Sequence, residues 1–504
     1  MPSTPIRKRK RPAQVSYSEV QEVDANGRLR EVIVIEDTPP PTASATASAS
    51  LVNGIAPGSI DTYIPPRRTR AQVKAAMSHI NNGAGSSSAS FVAPPAKKRK
   101  RENVEEPGLS TGLYAKRPNV GIVPGKPWPG ESGAITGSHS SQASNPAPSC
   151  DDKEGHYIVT PDDLIHDRYR TVRLLGQGTF GKVVEAVDTR LKSRVAVKII
   201  RAIPKYRDAS KIEIRVLNRL KERDPHNIHK CIHLLECFDH RNHICIVTEL
   251  LGKCVYDFLK ENEFVAFPRA HIQSFARQLL DSVAFLHSQR LVHTDLKPEN
   301  ILLVRNDYRV RPLPQPANGR RTSAPKQRRE LESTDIRLID FGSATFDDEY
   351  HSNVVSTRHY RAPEIILGLG WSFPCDAFSL GCILVEFYTG VALFQTHDNL
   401  EHLAMMEAVM GRMPDKFARA GARSKPEFFR EGAKLAWPPQ KATRQSRKEV
   451  KATKALQEII LSTDTLNRNF LDLVRKLLTF DPTHRITVED ALKHPYFSTK
   501  PPSD

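Results

Sequence analysis

The 504-residue sequence predicts an α+β chain in three parts: a long disordered tail, a small β-rich lobe and a larger helical lobe. Three observations carry this. Residues 1–150 are dominated by low-complexity stretches of small and polar residues. From about residue 157, short apolar runs alternate with turn signals, as in strands. From the segment FPRAHIQSFARQLLDSVAFLHSQ onward, the apolar spacing is helical.

In the tail, TPPPTASATASAS, NNGAGSSSAS and SHSSQASNPAPS cannot bury enough apolar surface to offset the ~1–2 kcal/mol per residue of backbone entropy lost on folding. The net charge is +17, of which +8 lies in residues 1–150 (19 Lys and Arg, 11 Asp and Glu) and +9 in the rest. Two basic runs, Arg7–Arg11 and Lys97–Arg101, read as nuclear import signals, so nuclear placement is expected, with shuttling to the cytoplasm left open. No aromatic residues interleave with them to stack bases, so direct nucleic-acid binding is not expected. One apolar island, Val32–Ile35, has Glu31 before it and Glu36 and Asp37 after it. Such a run can add as a strand to a partner's sheet. It is similar to SUMO-interacting motifs, which implies SUMO or a SUMO-modified protein as partner. The alternative is an incidental apolar patch.

Other classes are excluded. No apolar stretch approaches the ~18 residues of a membrane span, and the basic N-terminus is not followed by the apolar core of a secretory signal. The seven cysteines include no C-x-x-C pair and are odd in number, which disfavours a zinc site or disulfide framework and fits reduced thiols.

Residues 151–168 read as a linker. YRTVRLLGQGTFGKVVEAVDT then reads as strand, glycine turn and strand. RVAVKIIRAI is a third strand, KIEIRVLNRLKER a helix with Ile212, Val216 and Leu220 on one face, and HICIVTELL a further strand. The turn holds Gly176-x-Gly178-x-x-Gly181-x-Val183. A G-x-G-x-x-G alone is weak evidence, because dinucleotide-binding folds share it; there a helix should follow, and here a strand does. A glycine hairpin leaves no side chains between backbone and phosphate. Lys198 follows in VAVK, and Glu213 on the next helix is placed to pair with it. The loop LVHTDLKPEN supplies Asp295, Lys297 and Asn300; Asp340-Phe341-Gly342 and Ala362-Pro363-Glu364 come after it. Phosphoryl transfer needs a carboxylate to orient the attacking hydroxyl, positive charge near the migrating group and hard oxygen ligands for a cation. Taken singly, each of these residues would be an ordinary surface charge; their order is what carries chemistry.

These motifs, in this order across residues 176–364, resemble a eukaryotic protein kinase domain covering about 169–497, which implies the two-lobed kinase fold and the cofactors ATP and Mg2+. By that resemblance, Leu175, Gly176, Gln177, Gly178, Thr179, Phe180, Gly181, Lys182, Val183, Ala196, Lys198, Thr248, Glu249 and Leu251 border ATP. Asn300 and Asp340 hold the metal, and Asp295, Lys297, Lys198 and Glu213 are catalytic. Asp376 and Arg485 match structural positions of the large lobe, with Phe378 where tryptophan is usual. Thr294 replaces the arginine that in many kinases grips an activation-segment phosphate, implying a segment ordered without one.

EHLAMMEAVMG (401–411) and DFGSATFDDEYHSNVVSTRHYRAPEIILGLGWSFPCD are similar to segments of the LAMMER (Clk-type) dual-specificity kinases of the CMGC group. Ala408 departs from the family's arginine, and Thr248 is smaller than the gating residue usual in animal members. The resemblance implies Ser/Thr transfer, tyrosine autophosphorylation and Arg-Ser-rich nuclear substrates of mRNA processing. Asp347, Asp348 and Glu349 are candidates to steer such substrates, and Arg358 and Arg361 to order the segment through acids or phosphotyrosine. Insertions are expected at about 305–335, as an exposed hairpin, and at 412–455, as a basic surface segment. The alternatives are a pseudokinase scaffold and a basic nuclear binding protein.

Overall fold

The computed structural model describes residues 17–23, 29–35, 150–313 and 327–501. In the tail, Tyr17–Val23 and Leu29–Ile35 pair antiparallel with Val20 opposite Val32. The expected disorder of the rest of the tail, and both basic runs, lie outside the described residues.

The small lobe is a six-stranded antiparallel sheet: β1 (Leu164–Ile165), β2 (Tyr169–Gln177), β3 (Gly181–Asp188), β4 (Arg194–Ile200), β5 (Leu234–His240) and β6 (His243–Glu249). The order is β1-β2-β3-β4-β6-β5. Strand alternation gives the sheet two faces. Val184 and Ala186 of β3, Val195, Val197 and Ile199 of β4, and Cys245 and Val247 of β6 form a buried outer layer. The other face, with Ala196, Lys198, Ile246 and Thr248, turns toward helix α1 (Pro204–Arg223) and the large lobe. On α1 the buried positions are Tyr206, Ser210, Glu213, Val216, Leu217 and Leu220, whereas Ile212, expected on that face, is 41% exposed.

The stretch 151–168 is not a linker. It straps across the outer face and completes that layer with Tyr157 and Ile165, which are 1% and 0% exposed. The Tyr157 hydroxyl donates to Asp163, and its ring meets His243 edge-on at 5.3 Å. His243 Nδ1 lies 2.6 Å from the Ile200 carbonyl, which only accepts, and Nε2 lies 2.6 Å from Asp151. Polar residues hide the apolar contribution of this strap from a reading of composition.

The large lobe contains α2 (Val255–Glu261), α3 (Arg269–Ser288), α4 (Pro374–Thr389), α5 (Asn399–Met410), α6 (Asp415–Ser424), α7 (Arg444–Ala452) and α8 (Thr465–Leu477). On α3 the residues Ile272, Phe275, Ala276, Leu279, Leu280, Val283 and Leu286 are buried at helical spacing, while α4 is buried nearly all round and forms the core's axis. On α5, Leu403, Met406 and Val409 are buried, and Ala408 and Met410 are half-buried. The first insertion is a hairpin, Tyr308–Pro312 with Gln327–Leu331, held by reciprocal bonds between Asn262 and the Arg329 backbone; 314–326 lie outside the described residues. The second is a packed annex: α6 buries Phe417 and Ala418, and Phe428, Phe429, Leu435 and Val450 rest on the core. No helix among the described residues is long and apolar enough to cross a membrane, and all seven cysteines are free thiols.

Candidate active site

The cleft between the lobes begins at the β2–β3 turn. Gly181 is required by the protein itself, since a Cβ there would stand 2.1 Å from the Ile199 carbonyl oxygen. Gly176 and Gly178 have no such neighbour: a Cβ at either would meet nothing within 4 Å. Their lack of a side chain serves space left for something outside the chain. The tip of the turn is tied down by Arg201, which donates from its backbone to the Phe180 carbonyl (2.9 Å) and from its side chain to the Thr179 and Glu154 carbonyls. Phe180 packs edge-on against Tyr206 of α1 at 5.7 Å.

In β4, Lys198 Nζ donates to both oxygens of Glu213 (2.8 and 2.9 Å) and lies 3.3 Å from Asp340 Oδ1. Burial favours a neutral amine, but the two carboxylates outweigh it and hold Lys198 protonated. Lys198 in turn keeps the Asp340 carboxyl below its usual range despite burial. Burial pushes the Glu213 carboxyl up, Lys198 draws it back, and Asp340 adds to the push.

On the large lobe, Asp376 orders the catalytic loop, accepting from the backbone N–H of His293 (2.8 Å) and Thr294 (2.9 Å). His293 donates from Nε2 to the Ile339 carbonyl (3.2 Å), because a carbonyl can only accept, and its Nδ1 accepts from the Asp295 backbone. Asp295 Oδ2 accepts from Lys297 (2.6 Å), and Oδ1 accepts from the backbone N–H and hydroxyl of Thr357 (2.9 and 2.6 Å). Burial would raise the Asp295 carboxyl; Lys297 and Thr357 reverse this and hold it below the usual range. Asn300 donates from Nδ2 to the Asp295 carbonyl (2.9 Å), which leaves its Oδ1 as the outward group.

Thr294 is 1% exposed, and its hydroxyl donates to the Ser343 carbonyl (2.9 Å) just after the Asp340-Phe341-Gly342 motif. Its own carbonyl accepts from the Ser356 hydroxyl (2.5 Å) at the far end of the activation segment. The residue at the missing arginine's position thus clasps both ends of the segment by neutral hydrogen bonds. Thr294, Asp340 and Ser356 all have φ near +65° to +69°, a backbone state costly for residues with a Cβ and here held by these contacts. Glu364 closes the segment in a fully buried bidentate pair with Arg485 (2.6 and 2.8 Å), whose guanidinium lies 5.1 Å from the Phe378 ring. Phenylalanine at 378 therefore still provides an aromatic face for that cation.

The geometry brings together Lys198, Glu213, Asp295, Lys297, Asn300 and Asp340. Val183, Ala196 and Thr248 lie half-buried on the cleft side, and Glu249 and Leu251 follow where the chain crosses to the large lobe. Several expectations need correction. Lys182 belongs to the strap face, where its Nζ donates to the Tyr157 carbonyl (2.8 Å), and its cross-strand neighbour Gln177 lines an outer cavity of about 530 Å³ with it. Alternation along β3 puts Lys182 and Val183 on opposite faces. Asp347 is paired with Arg290, and Glu349 with Arg215 (2.7 Å), so of the three proposed steering acids Asp348 is the exposed one without a described ion pair. Arg361 donates to the Val355 and Ser356 carbonyls, and Arg358 to Asn399, contacts that tie the activation segment to itself and to α5. Thr357, Ser343 and Ser356 were missed: small hydroxyl residues within the segment carry no pattern that singles them out.

A phosphate-bound divalent cation fits the donor set. Asn300 Oδ1 and an ionised Asp340 are hard oxygens, few in number, as suits a cation that keeps waters and phosphate oxygens as further ligands. The open space over Gly176 and Gly178, near Lys198, fits the phosphates.

Comparison with known proteins agrees. The protein kinase domain family matches residues 169–497. The dual specificity protein kinase lkh1 of Schizosaccharomyces pombe is 50% identical over 360 residues, 71% of this chain but about half (51%) of that protein. The dual specificity protein kinase CLK4 of Homo sapiens is 47% identical over 348 residues, 69% of this chain and 70% of that one. The serine/threonine-protein kinase AFC3 of Arabidopsis thaliana is 47% identical over 351 residues, 69% of this chain and 86% of that one. Among solved structures, the PF14_0431 kinase domain superposes with a TM-score of 0.64 at 34% identity, covering 69% of this chain and all of that one. The chain belongs to the protein kinases, among the LAMMER (Clk-type) dual-specificity members of the CMGC group.

Proposed function

We propose that the chain transfers the terminal phosphoryl group of ATP, with Mg2+, to serine and threonine of Arg-Ser-rich nuclear proteins of mRNA processing, and to its own tyrosines. The observation that carries the catalytic part is the Asp295 carboxylate, held ionised and aimed by Lys297 and Thr357. Asp295 orients the acceptor hydroxyl and takes its proton late, as a loose transition state requires. Lys297 places positive charge beside the migrating group. Lys198, fixed by Glu213, binds the inner phosphates, and backbone of the 176–181 turn covers them. A divalent cation held by Asn300 and Asp340 would neutralise phosphate charge. The scaffold reading has no observation in its favour, since each of these residues is present and engaged.

For the substrate class, the support is the resemblance together with charge. The folded region carries +9, which at first sight repels arginine-rich chains. That charge is local, as described below, and leaves the rest of the folded part neutral. For the tail, nuclear import through Arg7–Arg11 and Lys97–Arg101 remains our reading. Leu29–Ile35 pairs along one edge with Tyr17–Val23, and among the described residues its other edge has no strand. SUMO is proposed to add there. The test is mass-spectrometric mapping of phosphates after incubating the purified chain with ATP·Mg2+ and an Arg-Ser repeat peptide. Phosphoserine on the peptide and phosphotyrosine on the chain are expected; an unmodified peptide with the enzyme active on other acceptors would refute the substrate class.

A further inference from the structure

Residues 412–455 contain thirteen Lys and Arg against four Asp and Glu, a net of +9, while residues 151–411 and 456–504 together contain 42 of each. The whole excess of the folded part therefore sits in one insertion. Twelve of its thirteen cations are exposed, and among the described residues one, Arg412, has a carboxylate partner (Asp415, 3.3 Å). Helix α7 concentrates this charge. Arg444, Arg447, Lys448 and Lys451 recur at i, i+3, i+4 and i+7 and form one outward stripe, while Val450 on the other side rests on the large-lobe core. Unpaired like charges at this spacing destabilise a helix by themselves, so the stripe is better matched to an anionic partner than to isolation. The helix is joined to the activation segment through one element: α7 packs on α5, and Asn399 at the start of α5 receives the hydrogen bond of Arg358 from the activation segment.

We propose that the α7 stripe binds the phosphorylated portion of the enzyme's own Arg-Ser-rich substrate, an inference that rests on the substrate class proposed above. An unmodified Arg-Ser pair carries one positive charge. A phosphoserine adds about −1.5 to −2, so the same pair becomes net negative once modified. The stripe thus repels the unmodified chain and attracts the product segment, with three phosphate oxygens per serine available to Arg444 and Arg447 as charge-assisted acceptors. Product is drawn away from Asp295 while the next unmodified serine stays free to enter, which favours repeated transfer to one chain.

The test uses the full-length chain and a labelled eight-repeat Arg-Ser peptide, unmodified or fully phosphorylated, in fluorescence anisotropy across a salt series. The variant is Arg444→Ala/Arg447→Ala/Lys448→Ala/Lys451→Ala, and Arg444→Lys/Arg447→Lys serves as the charge-preserving control. The phosphorylated peptide should bind at least tenfold tighter than the unmodified one, weaken with salt, and lose about tenfold in the alanine variant but much less in the lysine control. Turnover of a single-serine peptide should be unchanged in the alanine variant, and this also reports that it is folded. Equal affinity for both peptides, or a preference that survives the alanine variant, overturns the proposal. Tighter binding of a single-stranded RNA of equal charge, displacing the phosphopeptide from the stripe, overturns it in favour of a nucleic-acid site. Transfer to the unmodified peptide is measured separately: its absence sinks the substrate class, whereas transfer without phosphopeptide preference sinks the stripe alone.

Discussion

Replacing Thr294 by valine isolates the clasp. Valine keeps the shape and β-branching of threonine, so the cost of the φ of +69° is common to both and cancels. What is lost is the hydroxyl's bond to the Ser343 carbonyl at 2.9 Å, at a position 1% exposed. Ser343 is exposed and its carbonyl keeps a second donor, the Thr345 hydroxyl at 3.3 Å, so the loss is that of one neutral hydrogen bond, about 0.5–1.5 kcal/mol. For a domain of this size, an expected loss of ~1 kcal/mol lowers Tm by roughly 2–4 °C at most. If the clasp holds the activation segment, kcat should fall with the loss of Tm, up to ~5-fold for ~1 kcal/mol. Thr294→Arg, which restores the residue usual in other kinases, should do worse, because it places a cation in a site already closed around Asp376 and Ser343. The assay is steady-state phosphoryl transfer by phosphatase-treated chain, with Tm by scanning fluorimetry. Unchanged kcat and Tm in Thr294→Val, or a faster enzyme in Thr294→Arg, would refute the clasp.

The glycines of the β2–β3 turn should separate. Gly178→Ala should leave Tm within 1–2 °C and raise KM for ATP, since nothing in the protein opposes its Cβ, whereas Gly181→Ala should cost at least ~1–3 kcal/mol because its Cβ strikes the Ile199 backbone; the reverse order in thermal melts would contradict this. Burial pushes the Glu386 carboxyl up to about 7, with Tyr360 donating to it at 2.8 Å. A carboxyl raised in the folded state is neutral at no cost at low pH and destabilises increasingly as pH rises from about 4.5 through 7. Glu386→Gln should therefore match the parent near pH 4.5 and exceed it by up to about 3 kcal/mol above pH 7.5; a pH-independent difference in Tm would count against it. Tyr157→Ala should lose about 3–5 kcal/mol and slow turnover, because it frees the strap whose Glu154 carbonyl anchors Arg201 and the turn; a melt shifted by under 1 °C would show the strap to be a linker after all.

The chemistry was legible because residues that must meet phosphate, metal or a hydroxyl have few chemical substitutes. Glycine at 176, 178 and 181, Lys198, Asp295, Asn300 and Asp340 stand out in sequence, and alternation and helical spacing located the strands and helices that hold them. What escaped was work done by backbone and by small polar groups. The strap buries little more than Tyr157 and Ile165 amid charged residues, so its composition resembles a linker. The clasp at Thr294 joins residues 49 and 62 positions away through single hydroxyls and carbonyls, and local pattern does not reach that far. The charges of Asp347 and Glu349 looked free because their partners, Arg290 and Arg215, belong to other elements. Lys182 shows a different limit: one residue of strand register decides which face a side chain serves.

The proposed activity is transfer from ATP to arginine-rich serine acceptors by a site anchored on Asp295. Its most direct test is the initial rate of phosphate transfer by the full-length chain with ATP·Mg2+, comparing an Arg-Ser repeat peptide with an acidic peptide of equal serine content, and Asp295→Asn as the blank. Rapid transfer to the repeat peptide, little to the acidic one, and loss of both in the variant are expected. Transfer chiefly to the acidic peptide, or transfer that survives Asp295→Asn, would contradict it.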